Sequence, residues 1–206
     1  MPDSSPSSDR LPTAPDEVKI VIAGGFGVGK TTFVGALSEI PPLVTEEVLT
    51  DVGQGTDSLD GISDKTTTTV AMDFGRITFT HPQPMILFLF GTPGQQRFWF
   101  MWDDLCHGAI GAVVLVDTRH VEKSFAAINY FEERHIPFVV AVNQFTDGDR
   151  YGADEVRDAL EIAATVPVLI CDARNRHSVL TVAIALVTHA LTAATPRPLT
   201  RHGAHA

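Results

Sequence analysis

Gly24 to Thr31 read G-G-F-G-V-G-K-T, which meets the G-x-x-x-x-G-K-[ST] spacing of a polyphosphate-binding loop in full. Glycines let the backbone wrap tightly, so that the N–H groups of Gly25, Gly27, Val28 and Gly29 point inward at a phosphate chain. A helix expected to start at about Lys30 adds the positive end of its dipole. Lys30 is one of only four lysines and would reach the β and γ phosphates. The Thr31 hydroxyl would ligate Mg²⁺, and Thr32 would lie near the α phosphate. The bland alternative is a glycine-rich turn with an incidental Lys-Thr pair. A strand-like run before the loop and a helix-like run after it weigh against that alternative.

The elements that must hold such a loop are legible as an alternation. Residues 18–23 form a β-branched run ending in glycines, and residues 30–39 read as a short helix stopped by Pro41 and Pro42. Residues 44–65 show little periodicity and predict a long mobile loop of the length associated with function. Residues 69–79 and 85–90 read as two strands joined by a proline-containing turn, hence an antiparallel pair. Residues 109–116, 137–142 and 166–170 are apolar enough to be buried on both faces, as strands of a parallel sheet are. Helical stretches fall at 121–134, 154–163 and, with Ser178 as the expected N-cap, 179–193. This order predicts an α/β fold: a doubly wound, mostly parallel six-stranded sheet with helices on both faces and one antiparallel edge strand. A ligand would sit at the carboxyl ends of the strands.

Composition narrows the function. With 206 residues and 44% hydrophobic side chains the chain supports one domain, expected over residues 18–194. Residues 1–17 and 195–206 are breaker-rich and short of apolar residues, and are expected to be flexible tails. A formal net charge of -10 with no basic run argues against nucleic acid or an anionic membrane as partner. The run 179–191 is interrupted by Thr181, Thr188 and His189 and predicts a buried helix, not a membrane span. The two cysteines, Cys106 and Cys171, make neither a disulfide framework nor a zinc site, which fits a cytoplasmic location. The eight histidines form no ligand spacing, and Asp117 is expected to cap a turn.

After the strand 85–90 come Gly91, Thr92, Pro93, Gly94 and Gln95. This stretch resembles the D-T-P-G-Q element of Ras-like small GTPases. The resemblance implies that Gly94 senses the γ phosphate and that Gln95 positions the attacking water, with residues 91–107 as a second switch. Phe98, Trp99, Phe100, Met101 and Trp102 make that switch unusually apolar, partly core and partly a surface for a protein partner. Thr69 to Phe74 (T-V-A-M-D-F) is similar to the segment by which the first switch enters its strand, which implies Thr69 as a Mg²⁺ ligand. The run Thr66 to Thr69 leaves that register open by a residue or more.

Two positions depart from the family. Gly91 stands where an aspartate normally supports Mg²⁺, implying either weaker metal affinity or substitution by a loop acid such as Asp57, Asp60 or Asp64. The N-K-x-D element that reads guanine is represented by Asn143, Gln144, Phe145, Thr146 and Asp147, so its lysine is absent and its aspartate displaced by one. Asp172, Ala173 and Arg174 resemble a divergent S-A-K element that supports the base through backbone N–H groups. Over residues 18–193 the pattern most resembles the D-type GTPases of bacterial conservon operons, relatives of the MglA-type GTPases. That resemblance implies GTP/GDP and Mg²⁺ as ligands, with a roadblock-fold protein and a sensor kinase-like protein as partners. Activating and exchange factors are also implied. Three functions compete: a slow GTP-hydrolysing switch with Arg97 as a candidate arginine finger, a docking platform with little hydrolysis, and a small P-loop kinase. The switch accounts for most of the motifs.

Overall fold

The structure, a computed structural model, describes residues 14–41, 43–50, 67–94 and 96–194. Chain order is β1 (Asp16–Gly24), α1 (Lys30–Leu37), β2 (Leu43–Thr50), β3 (Thr67–Phe79) and β4 (Met85–Gly91). A 3₁₀ turn at Gln96–Met101 then leads into α2 (Trp102–Cys106) and β5 (Gly111–Val116). A second 3₁₀ segment at Thr118–Ser124 leads into α3 (Phe125–Glu133), followed by β6 (Phe138–Asn143), α4 (Ala153–Ala159), β7 (Val168–Cys171) and α5 (Arg176–Ala194).

The strands form one sheet in the order β2-β3-β4-β1-β5-β6-β7. β1 pairs in parallel with β4 and β5, and the β5-β6-β7 pairings are parallel too. β3 runs against both β2 and β4. The fold is therefore the mostly parallel, doubly wound sheet expected, with one strand reversed. Its strand count is seven because part of the expected loop is a strand: residues 43–50 pair in register with 67–74. The reversed strand is consequently internal and β2 takes the edge. Two glutamates sit between the apolar pairs of β2 and break the alternation, which hid the strand from periodicity. Residues 51–66, with Asp57, Asp60 and Asp64, lie outside the described residues.

Alternate residues of the central strands feed two cores, as a sheet covered on both faces requires. Ile20, Ile22, Val113, Leu115, Val139 and Ala141 face α1 and α5, where Phe33, Leu37, Val182 and Leu186 meet them. Val21, Ala23, Ala112, Val114, Val140 and Val142 face Trp102, Ile128 and Phe131 on the other side. Full burial of each large side chain contributes about 1.5–3 kcal/mol. By length and composition α5 could cross a membrane. One face of it, through Val179, Val182, Ala183 and Leu186, belongs instead to the first core.

Several element ends differ from expectation. β1 begins at Asp16, inside the expected N-terminal tail. The helix expected from 121 splits, because residues 118–124 wind as 3₁₀ with His120 out of helical geometry. α5 starts before Ser178: the Asn175 side chain accepts the Ser178 N–H at 3.1 Å and caps the helix. The Ser178 hydroxyl accepts the Asp172 N–H instead.

Candidate functional site

β1 ends in the glycine loop, and its left-handed turns explain the residue choice. Gly27 has φ 77° and Gly29 φ 102°. A Cβ on Gly29 would also lie 2.7 Å from the Asn143 amide nitrogen. Lys30 opens α1 and is buried. Its ammonium donates to the Gly24 carbonyl at 3.0 Å and the Gly25 carbonyl at 2.8 Å, which leaves one of three N–H bonds for an anion. Burial pulls the Lys30 pKa down to about 8, against an upward pull from Asp73. An arriving phosphate would supply the charge that burial removes.

Beside the loop lies a cavity of about 410 Å³, lined in part by Phe26, Gly29, Thr31, Asp73, Thr92 and Gly94. Gly27, Lys30 and Thr32 border it as well. Gly25 contributes its carbonyl to Lys30, whereas the Val28 side chain turns into the core and its carbonyl accepts from Asn143. Gly94 approaches closely, since a Cβ there would sit 2.7 Å from the Lys30 ammonium and 2.9 Å from the Phe26 backbone nitrogen. The loop after β4 thus packs directly over the phosphate loop. Gln95 and the side chain of Thr69 lie outside the described residues.

Asp73 is the residue that sequence reasoning missed. Its Oδ2 accepts the Thr31 hydroxyl at 2.8 Å, and the carboxylate is buried. Asp73 stands directly opposite Gly91 in the β3–β4 ladder. A Cβ on Gly91 would come within 2.9 Å of both Asp73 Cβ and Asp73 Oδ2. The absence of a side chain at 91 therefore makes room for an acid from the neighbouring strand. The signal was present in T-V-A-M-D-F, where an aspartate interrupts an otherwise apolar or small strand. A hydroxyl and a carboxylate are the hard oxygen donors that Mg²⁺ takes. Thr92 belongs to the cavity wall, and its hydroxyl is buried with no hydrogen-bond partner. Among the described residues no three His, Cys, Asp or Glu side chains cluster to hold a metal. A Mg²⁺ ion here would be held by Thr31, supported by Asp73, and by the phosphates of the ligand.

On the other side of the loop Asn143 acts as a brace. Its Nδ2 donates to the Val28 carbonyl at 2.9 Å, and its Oδ1 accepts the Ala173 N–H at 3.0 Å. The phosphate loop and the loops after β6 and β7 are thereby tied together. The 172–174 element differs from expectation, because its N–H groups are engaged within the protein. Asp172 donates to Ser178, Ala173 to Asn143 and Arg174 to the Asp172 carboxylate. It supports the site through Asn143 and offers those N–H groups to nothing else. Phe145 and Asp147 both contact Arg119, which follows β5. Asp117 caps the turn at the end of β5 as expected, accepting the Arg119 N–H at 3.0 Å. The hydrogen bond from the Arg119 side chain holds the Asp117 carboxyl below its usual range.

Of the aromatic run, Phe98 and Trp102 are buried, Trp99 and Met101 half-buried, and Phe100 is 63% exposed. The Trp102 indole donates to the Pro93 carbonyl at 3.4 Å and stacks on Phe131. This ties the segment leaving the site to the second core.

A glycine loop that buries a lysine between a parallel strand and a helix, on this doubly wound sheet, makes the chain a nucleotide-binding protein of the P-loop NTPase fold. The comparisons with known proteins agree. Residues 22–193 match the family described as conserved hypothetical ATP binding protein, and the chain belongs to that family. It is 30% identical over 136 residues to the uncharacterized protein MJ1339 of Methanocaldococcus jannaschii, spanning 65% of this chain and 74% of that protein. The G-domain of FeoB from Methanococcus jannaschii shares the fold with a TM-score of 0.57 at 15% identity, covering 85% of this chain and 99% of that one.

Two outcomes are expected from this geometry. Asp73→Asn should weaken Mg²⁺-dependent nucleotide binding by about 10–100-fold and leave Mg²⁺-free binding nearly unchanged, as read by calorimetry with and without the ion. Lys30 has a folded pKa of about 8 against a model-peptide value of 10.5. The unfolded chain therefore holds more protons between those values, and stability rises with pH across that window. Lys30→Met should remove this rise, seen as a parent-minus-variant difference in denaturant midpoint between pH 7 and pH 11.

Proposed function

We propose that the chain is a guanine-nucleotide switch that binds GTP and GDP with Mg²⁺ and hydrolyses GTP slowly. The observation that carries this reading is the Thr31–Asp73 contact at 2.8 Å. It restores, from β3, the acid that the chain lacks at Gly91, and so keeps the metal-supported chemistry of a hydrolytic P-loop. Gly94, packed against Lys30 and Phe26, is in the position from which a γ phosphate would displace it. Gln95 is assigned to orienting water, and Arg97 is the candidate for charge stabilisation in cis; an activating partner would otherwise supply that charge. Phe26 and Phe100, 73% and 63% exposed, flank this loop region and suit a partner that reads its order.

The motif resemblance extends the proposal to a bacterial conservon-type signalling unit. In that unit the chain would act in the cytoplasm beside a roadblock-fold protein and a sensor kinase-like protein, with exchange and activating factors. ATP in place of GTP is the second reading. It is favoured by the description of the family to which the chain belongs and by the loss of lysine at Gln144.

Titration with GDP, GTP, ADP and ATP in the presence of Mg²⁺ tests the base: guanine nucleotides should bind at least about tenfold more tightly. Equal or stronger adenine binding would replace the first reading with the second. In single-turnover hydrolysis Gln95→Ala should lose about 100-fold in rate with little change in binding. An unchanged rate removes Gln95 from the mechanism.

A further inference from the structure

A chain with a formal net charge of -10 repels a polyphosphate at long range, so a loop that binds one needs exposed positive charge near it. Lys30 supplies little of that charge. Its ammonium is buried, and two of its three N–H bonds go to the Gly24 and Gly25 carbonyls. Arg119 is engaged by two carboxylates, donating to Asp117 and to Asp147. Lys123, at the end of the 3₁₀ segment after β5, is exposed and makes no hydrogen bond or ion pair among the described residues.

The stem of Lys123 fixes its place. A Cβ on Gly25 would lie 2.9 Å from Lys123 Cβ and 3.6 Å from Lys123 Cδ, so the alkyl chain runs along a glycine that has no side chain to obstruct it. Nζ is two bonds beyond Cδ, which keeps the ammonium within roughly 6 Å of that point and inside the Debye length of about 8 Å in physiological salt. Gly25 is also the residue whose carbonyl accepts the Lys30 ammonium at 2.8 Å. Both lysines therefore meet the same residue of the loop. Phe26, the next residue, lines the nucleotide cavity and also the narrow cleft that Lys123 borders with Asp117 and Ser124. Neighbouring acids have other partners: both Asp117 oxygens accept from Arg119, and Glu122 lies 3.7 Å from the His120 ring nitrogen.

We infer that Lys123 is the capture cation of the polyphosphate site: it draws the phosphate tail to the loop, where the loop N–H groups and Lys30 then hold it. The inference rests on the phosphate site alone and is independent of the base that the ligand carries. An exposed charge of this kind acts on association, because it favours approach, and adds little to the bound state.

The test is stopped-flow association and dissociation of GDP and ADP carrying a fluorescent label on the ribose, with Mg²⁺, on the full chain, Lys123→Met, Lys123→Arg and Lys19→Gln. Met keeps an unbranched stem against Gly25 and removes the charge, whereas Arg keeps the charge. Lys19 carries the same charge near the start of β1, roughly 16 Å along the strand from Gly24. At low ionic strength Lys123→Met should slow association about 3–10-fold for whichever nucleotide binds, with dissociation changed less than about twofold. The deficit should vanish at about 1 M salt, where the Debye length is about 3 Å. Lys123→Arg and Lys19→Gln should associate like the parent. An unchanged rate in Lys123→Met overturns the inference. An equal loss in Lys19→Gln overturns it too, as the mark of a net-charge effect. A loss that persists at high salt or falls on dissociation marks packing against Gly25 and is equally fatal. A parent that binds neither nucleotide refutes the phosphate site itself, whereas a binding parent matched by Lys123→Met refutes only the role of Lys123.

Discussion

The site depends on one hydrogen bond between α1 and β3, from the Thr31 hydroxyl to the Asp73 carboxylate at 2.8 Å. A charge-assisted bond of this kind contributes about 1.5–3 kcal/mol, and its placement matters more than its strength. It ties the first turn of α1 to a strand two positions away from β1 in the sheet. Gly91, between them, permits it by having no side chain. The buried Lys30 stands in the same cavity, and the Asp73 charge partly offsets the cost of burying its ammonium. Glycine loop, buried acid and buried cation thus form one coupled group.

The same construction recurs on the far side of β1. Arg119 from the β5 end meets Asp147 and Phe145 from the loop after β6, with Asn143 bracing that loop to Val28 and Ala173. Parallel strands bring the carboxyl ends of β1, β4, β5 and β6 to one rim, and the antiparallel β3 sets Asp73 directly opposite the end of β4 at Gly91. At Gly91 the space a side chain would take is occupied by Asp73 of the adjacent strand β3. The aromatic segment after Gly94 serves a different need. Trp102 anchors it into the second core beside Phe131, while Phe100 remains outside.

Much of the fold was legible because its signals are local. A β-branched run, a glycine loop and a capped amphipathic stretch each follow from a few consecutive residues. The edge strand β2 was not, since only its pairing with β3 distinguishes it from a polar loop. The N-cap of α5 was misread by three residues because Ser178 and Asn175 are equally good caps in sequence, and the Asp172 N–H claims Ser178.

The amino-acid sequence alone determined the polyphosphate loop, its lysine and threonine, the alternation of strands and helices, and the two positions where motif side chains are missing. Those properties are written in consecutive residues or in their absence. Only the tertiary structure decided which side chains meet around those positions. Asp73 reaches Thr31 and Arg119 reaches Asp147 across separations of 42 and 28 residues, and no spacing rule along the chain encodes either pair. Strand order and register bring them within hydrogen-bonding distance.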